Sequence, residues 1–232
     1  MTRESNEEAQ RVPPAGNKDK EEGGKELDFI HRFLPTAKPE EAVTLLLLHG
    51  TGGDEDSLLT LGKHLMPTAN LLSLRGKVLE QGMPRFFRRL AEGVFDQEDL
   101  GIRTAELAQF IVAATARYNL DASRLIAVGY SNGANIAGSL LLRQPNLVAG
   151  AILLHPMVPF VPEALPDLVG KPIFIGAGRN DPIVPTKNTT QLIEMLQSAG
   201  AAVSVYWHQS GHSLTSEEAE AAHKWLQTVQ DK

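Results

Sequence analysis

A serine stands between two glycines in the segment Gly129-Tyr130-Ser131-Asn132-Gly133. An apolar run over 124–128 leads into it, and a run of small and apolar residues to about Arg143 leads out. A strand that passes directly into a helix bends sharply at such a point. The serine then occupies the apex with its hydroxyl exposed, and the flanking glycines remove side chains that would collide. The helix that starts at once turns its free N–H groups and positive dipole end toward the same spot. A hydroxyl so placed can serve as a nucleophile if a base takes its proton, because serine alone attacks poorly at neutral pH.

The 7 histidines are the candidate bases. His31 and His64 precede the serine, in an edge segment and a helix, and His223 lies within the last helix. His155 and His208 each end a strand and could reach the same rim. His212 follows Gly211, which permits a tight bend, on a loop between the last strand and the last helix. The chain order serine, aspartate, histidine places the base there, so His212 is preferred and His208 is its nearest rival. The carboxylate must come between serine and histidine. Glu163 and Asp167 lie ahead of a strand and Glu194 falls within a helix. Asp181 follows a strand, on a loop stiffened by Pro182 and Pro185. There it would hold the His212 ring and stabilise its imidazolium.

A second glycine-rich bend, His49-Gly50-Thr51-Gly52-Gly53, follows the apolar run 43–48. The N–H of Thr51 is expected to pair with that of Asn132 as an oxyanion hole, each donor typically lowering the barrier by about 3 kcal/mol. A phosphate loop is the competing reading, but the bend lacks the Lys-Ser/Thr pair that would follow it. His49 is then a scaffold residue shaping the loop.

These groups need a frame. Residues 27–35 suit an edge strand, and 43–48, 69–76, 124–130, 148–155, 171–178 and 202–208 read as strands, several of them continuous apolar runs suited to burial on both faces. Helices are expected over 57–66, 104–120, 132 to about 143, 186–199 and 215–230. The last would be capped by Thr215 or Ser213 with acidic residues in its first turn. Strand–helix alternation implies a mostly parallel sheet with helices on both faces, and reactive groups gather at the carboxyl ends of its strands. Residues 1–25 mix charge with glycine and offer little to bury, so they are expected to be disordered, with a single domain over 26–232.

Composition narrows the function. The net charge is −6 with no concentrated basic face, which argues against nucleic acid as partner. No cysteine is present, which removes disulfides, thiolate metal sites and a cysteine nucleophile. The charged N-terminus lacks the apolar stretch of a secretory signal, and no apolar run approaches a membrane span, so the default is a soluble cytoplasmic protein without a membrane partner. A homodimer is carried as one option for its assembly.

Taken together, the segments 47–55, 124–135, 176–185 and 210–214 resemble the α/β-hydrolase superfamily. Within it they are similar to the small phospholipase/carboxylesterase branch related to dienelactone hydrolases, over about residues 28–230. Residues 75–100 resemble bacterial hydroquinone-induced carboxylesterases of that branch. The resemblance implies an α/β-hydrolase fold and a serine carboxylesterase with the triad Ser131, Asp181 and His212, needing no metal or organic cofactor. Serine stands where dienelactone hydrolases carry cysteine, which weighs against a dienelactone substrate. The segment between the strands at 148–155 and 171–178 is too short for a helical lid, so the site should be open. Phe86, Met157 and Ile183 are expected to wall a pocket for a small or medium ester, with Arg85 and Arg88 solvated or structural in preference to meeting an acidic substrate group. A thioesterase, lysophospholipase or small-peptide hydrolase would use the same triad. A binding protein that kept the fold would have no need of it.

Overall fold

The computed structural model describes Arg11–Val12 and residues 27–230. Eight strands form one sheet in the order β1-β2-β4-β3-β9-β10-β11-β12. They are β1 (Arg11–Val12), β2 (His31–Leu34), β3 (Thr44–Leu48), β4 (Asn70–Leu74), β9 (Leu125–Tyr130), β10 (Gly150–Leu154), β11 (Pro172–Gly178) and β12 (Ala202–His208). From β4 to β12 every pairing is parallel, while β2 runs antiparallel to β4 and β1 antiparallel to β2. The α/β-hydrolase fold expected from the sequence is present, with central strands at the expected positions.

Strand β3 shows why the sheet is sandwiched. All five of its residues are buried, and their side chains alternate between faces. Leu46 and Leu48 join the cluster containing Leu107 and Phe110 of α2 (Gln97–Arg117), Leu140 and Leu141 of α3 (Asn132–Arg143), and Leu192 of α4 (Thr186–Ser198). Leu45 and Leu47 join Leu65 of α1 (Leu59–Leu65) with Ala222 and Leu226 of α5 (Ser216–Gln230). Each such leucine, fully buried, stabilises the fold by roughly 2 kcal/mol. No described helix is long and apolar enough to cross a membrane.

The structure adds to the sequence reading at three places. Arg11 and Val12 fall in the segment expected to be disordered, yet they pair with Arg32 and His31. An open sheet edge accepts a strand whatever its side chains, because the backbone makes the bonds. The other residues of 1–26 lie outside the described residues. Second, α2 begins at Gln97 and not near 104: Asp96 caps it by accepting from the Asp99 N–H at 3.0 Å, and Glu98 and Asp99 supply first-turn negative charge. Third, the stretch between β4 and α2 holds two hairpins, β5 (Val78–Glu80) with β6 (Met83–Arg85) and β7 (Arg89–Ala91) with β8 (Val94–Phe95). Gln81 and Gly82 turn the first, both at positive φ as a two-residue hairpin loop requires. Arg89 pairs with Glu80 at 2.7 Å and so ties the hairpins together beside the carboxyl ends of the strands.

Candidate active site

Ser131 follows β9 directly, at φ 53° and ψ −112°, and α3 starts at the next residue. The glycines on either side are demanded by close approach. A Cβ on Gly129 would stand 2.4 Å from the carbonyl oxygen of Gly133, and a Cβ on Gly133 would stand 1.9 Å from that of Leu48. The left-handed serine backbone is strained for a residue with a Cβ, and such strain collects where function needs it.

His212 reaches this serine from the loop after β12. Its Nε2 lies 2.8 Å from Ser131 Oγ and its Nδ1 2.7 Å from Asp181 Oδ2. An ionised carboxylate only accepts, so Nδ1 carries the proton and the Nε2 lone pair faces the serine hydroxyl. The Tyr130 hydroxyl donates to the His212 carbonyl at 2.8 Å and anchors the loop. Asp181 is held from both sides. Its Oδ1 accepts the N–H groups of Ile183 (2.8 Å) and Val184 (3.0 Å), while Oδ2 accepts from His212 and from His155 Nδ1 at 3.0 Å. Burial of this carboxyl would raise its pKa, but these four donors overcome that and hold it below the usual carboxylate value. The three residues singled out in the sequence are thus brought into one hydrogen-bonded line.

Thr51 and Asn132 both line the cavity beside Ser131, and neither backbone amide donates among the described loop and turn hydrogen bonds. Thr51 Oγ1 accepts from Arg85 Nη1 at 2.6 Å, and Gly52 N–H donates to the Pro84 carbonyl at 2.9 Å, so the first hairpin carries the glycine bend. His49 accepts the Gly76 N–H at Nε2 (2.9 Å) and donates from Nδ1 to the Gly50 carbonyl (2.6 Å). Burial pushes its pKa down, and it is a neutral scaffold group. His208 does not meet Ser131; its Nε2 stands 3.7 Å from Glu218.

The cavity at Ser131 measures about 350 Å³, and Arg89, Phe95, Tyr130, Met157 and Ile183 contribute to its lining. Met157 and Ile183 therefore stand where expected. Phe86 does not. It is 2% exposed, packs against the His49 ring at 4.8 Å, and donates its N–H to Asn132 Oδ1 at 2.7 Å. Its ring is drawn into the core because the hairpin folds inward there, and Phe95 from β8 lines the cavity instead. Arg85 is structural, being buried and engaged by Thr51 and the Phe87 carbonyl. Arg88 is exposed and paired with Asp96. No helix covers the cavity from residues 155–171. A larger cleft, about 660 Å³, opens at the opposite ends of the strands, but its lining has no histidine to serve as base.

Two groups were not foreseen in their present roles. His155, weighed as a rim histidine, contacts Asp181 and not Ser131. Glu218, read as a capping acid, has a fully buried carboxylate 3.3 Å from His155 Nε2. Thr215 Oγ1 alone serves the cap, accepting from Glu218 N–H at 3.1 Å. Two sets, His155–Asp181–His212 and His155–His208–Glu218, bring ligand-type atoms within 4.8 Å of one another. In each, the spacing is taken up by the hydrogen bonds and ion-pair contacts just described.

The model of the dienelactone hydrolase family matches residues 83–230, more than half of the chain. The chain belongs to the dienelactone hydrolase family. MhqD of Bacillus subtilis (strain 168), named as a hydrolase, is 55% identical over 181 residues, 78% of this chain and 90% of its own. A Bacillus cereus carboxylesterase structure is 49% identical with TM-score 0.83, covering 85% of this chain and 92% of that one. A carboxylesterase from Mesorhizobium loti is 34% identical with TM-score 0.79, covering 86% and 94%. Family and neighbours together make this member of the dienelactone hydrolase family an ester-hydrolysing enzyme.

Proposed function

We propose that the protein is a serine carboxylesterase for small to medium esters, with Ser131 as nucleophile, His212 as base and Asp181 as the group that orients it. The observation that carries this reading is the 2.8 Å contact of Ser131 Oγ with a His212 ring fixed by Asp181 at 2.7 Å. Ser131 Oγ attacks the ester carbonyl as His212 Nε2 takes its proton. The Thr51 and Asn132 N–H groups receive the developing oxyanion. The resulting imidazolium is stabilised by Asp181 and returns its proton to the departing alkoxide. Water then enters and attacks the acyl-enzyme as it loses a proton to His212, and His212 returns that proton to Ser131 Oγ as the acid departs.

The cavity supports this substrate range. Its volume of about 350 Å³ lies near the lower end of ordinary ligand pockets, about 300–1,000 Å³. Phe95, Met157 and Ile183 favour an apolar acyl or aryl group, and with no helical lid the mouth suits soluble esters over long lipid chains.

The test is hydrolysis of p-nitrophenyl esters from acetate to decanoate by wild type and Ser131→Ala side by side. Turnover should be greatest on short chains and fall by about 10⁴-fold or more in the variant, with its thermal unfolding unchanged. Near wild-type activity in Ser131→Ala would remove the assignment. A wild-type enzyme inert to every oxygen ester but active on thioesters would move it to a thioesterase on the same residues.

A further inference from the structure

We propose that Asn135 is a specificity-determining residue: its side-chain NH2 group favours esters that carry an acceptor oxygen, as an ether, hydroxyl or keto group, within about 5 Å of the reacting carbonyl. The proposal rests on the reading of Ser131 as nucleophile and names a substrate feature for that site.

Asn135 lies one turn along α3 from Ser131, and its backbone N–H donates to the Ser131 carbonyl at 3.0 Å. Side chains on a helix lean toward its N-terminus, so Asn135 leans back over the turn that begins at the nucleophile. One turn rises about 5.4 Å, which sets the reach from the reacting centre. Asn135 is 5% exposed and lines the cavity at Ser131.

The orientation of the amide is fixed by a backbone donor. Asn135 Oδ1 accepts the Met157 N–H at 2.7 Å. A backbone N–H can only donate, so the amide oxygen faces Met157 and the NH2 group faces away from it. The strap that carries Met157 is tied to two further helices. Asn188 Oδ1 of α4 accepts the Val158 N–H at 2.8 Å, and Gln97 Nε2 of α2 donates to the Pro159 carbonyl at 2.9 Å. The amide is therefore set in place before a substrate arrives, and binding does not have to order it.

Its donor group is unengaged. Other neutral polar side chains of the lining already have partners: Thr51 Oγ1 accepts from Arg85, the Tyr130 hydroxyl donates to the His212 carbonyl, and Asn132 Oδ1 accepts the Phe86 N–H. Among the described residues no hydrogen bond engages Asn135 Nδ2. Asn132 Nδ2 also lacks a partner but is fully enclosed, whereas Asn135 Nδ2 is open, and the open space that Asn135 borders is the cavity. The side chains of Phe95, Met157 and Ile183 bring no oxygen to it. A substrate that fills the cavity displaces the solvent there. An all-carbon chain then leaves the NH2 group dry and unpaired, while a chain oxygen at that spot replaces the solvent oxygen. Sites that hydrogen-bond a substrate group discriminate against the analogue lacking it for this reason.

The acyl and alcohol chains both leave from the ester carbonyl, so two pairs of matched shape separate them. The acyl pair is p-nitrophenyl methoxyacetate and p-nitrophenyl butyrate; the alcohol pair is 2-methoxyethyl acetate and butyl acetate. kcat/KM is measured for both pairs with wild type, Asn135→Asp, Asn135→Leu and Ser131→Ala. Each oxygen-to-carbon ratio is divided by the same ratio for hydroxide hydrolysis, which removes intrinsic reactivity. Wild type should favour the oxygen member by about tenfold in one pair, and that pair names the side of the ester that Asn135 reads. Asn135→Asp keeps an acceptor for the Met157 N–H and replaces the NH2 group by oxygen; Asn135→Leu supplies neither. Both variants should bring the corrected ratio to about 1 or below. A role confined to holding the Met157 strap would lower both members of a pair alike, since their shapes match. A corrected wild-type ratio of about 1 in both pairs overturns the proposal whatever the variants' yield, and so does a wild-type ratio retained by Asn135→Asp. Activity retained by Ser131→Ala would remove the nucleophile reading instead. An inactive Ser131→Ala beside a corrected wild-type ratio of about 1 removes only this inference.

Discussion

Gly133 lies so close to Leu48 that the first carbon of any side chain would fall 1.9 Å from the Leu48 carbonyl oxygen. The first turn of α3 is therefore pressed onto the end of β3, and Ser131 and Thr51 are brought to one cavity by that contact.

Gly133→Ala sets two effects against each other. Helix propensity alone would favour alanine by about 1 kcal/mol. The clash is with backbone at Leu48 and His49, which cannot swing aside as a side chain can. Overpacking of this kind costs about 3 kcal/mol, so the clash wins. The urea midpoint should fall with the slope unchanged. A variant as stable as wild type would show that α3 can move off β3.

Thr51→Val separates the hydroxyl from the backbone donor. The N–H stays, but Arg85 Nη1 loses the acceptor that holds it at 2.6 Å. An unpartnered buried donor costs about 1–3 kcal/mol and loosens the bend. Turnover should fall about tenfold with KM little changed, because the oxyanion forms after binding. Equal losses in kcat and 1/KM would instead place Thr51 in ground-state substrate binding.

Stability should peak in mildly acidic solution. The Asp181 pKa is depressed in the fold, so its contribution is complete above its ordinary value of about 3.9 and disappears as pH falls through the folded value. The His155 pKa is raised, so its contribution is complete below about pH 6.5 and is lost as pH rises through the folded value. His49, with a depressed pKa, acts in the opposite sense to His155 and loses its contribution as pH falls below about 6.5. Urea midpoints from pH 3 to 9 check this. Asp181→Asn should be less stable at pH 6 yet show a weaker decline below pH 5; parallel curves would mean Asp181 carries no proton-linked stability.

The extent of what could be read beforehand follows the reach of the interactions. Strand β3 was legible because five apolar residues in a row fit only a strand buried on both faces. The serine turn was legible because its glycines and flanking runs are neighbours in the chain. The meeting of Asp181 and His212 at Ser131 was legible from chain order and loop position. The hairpins of residues 78–95 were not, since their strands are two or three residues long and lack a period to detect. Asp96 and its acidic first turn mark the start of α2, a signal carried by polar residues ahead of the apolar spacing that begins near 104.

By itself the sequence determined the alternation of strands and helices, the sharp turn at Ser131 and the absence of thiol chemistry, all consequences of local residue types and spacing. Tertiary structure alone decided that Phe86 turns into the core, that Arg85 supports Thr51, and that Glu218 leaves its helix cap to lie over Gly176 and meet His155. Each of these depends on what a side chain faces across the sheet. A chain-local pattern carries no record of that, because a glutamate in a first helical turn looks the same whether it faces water or a glycine one strand away.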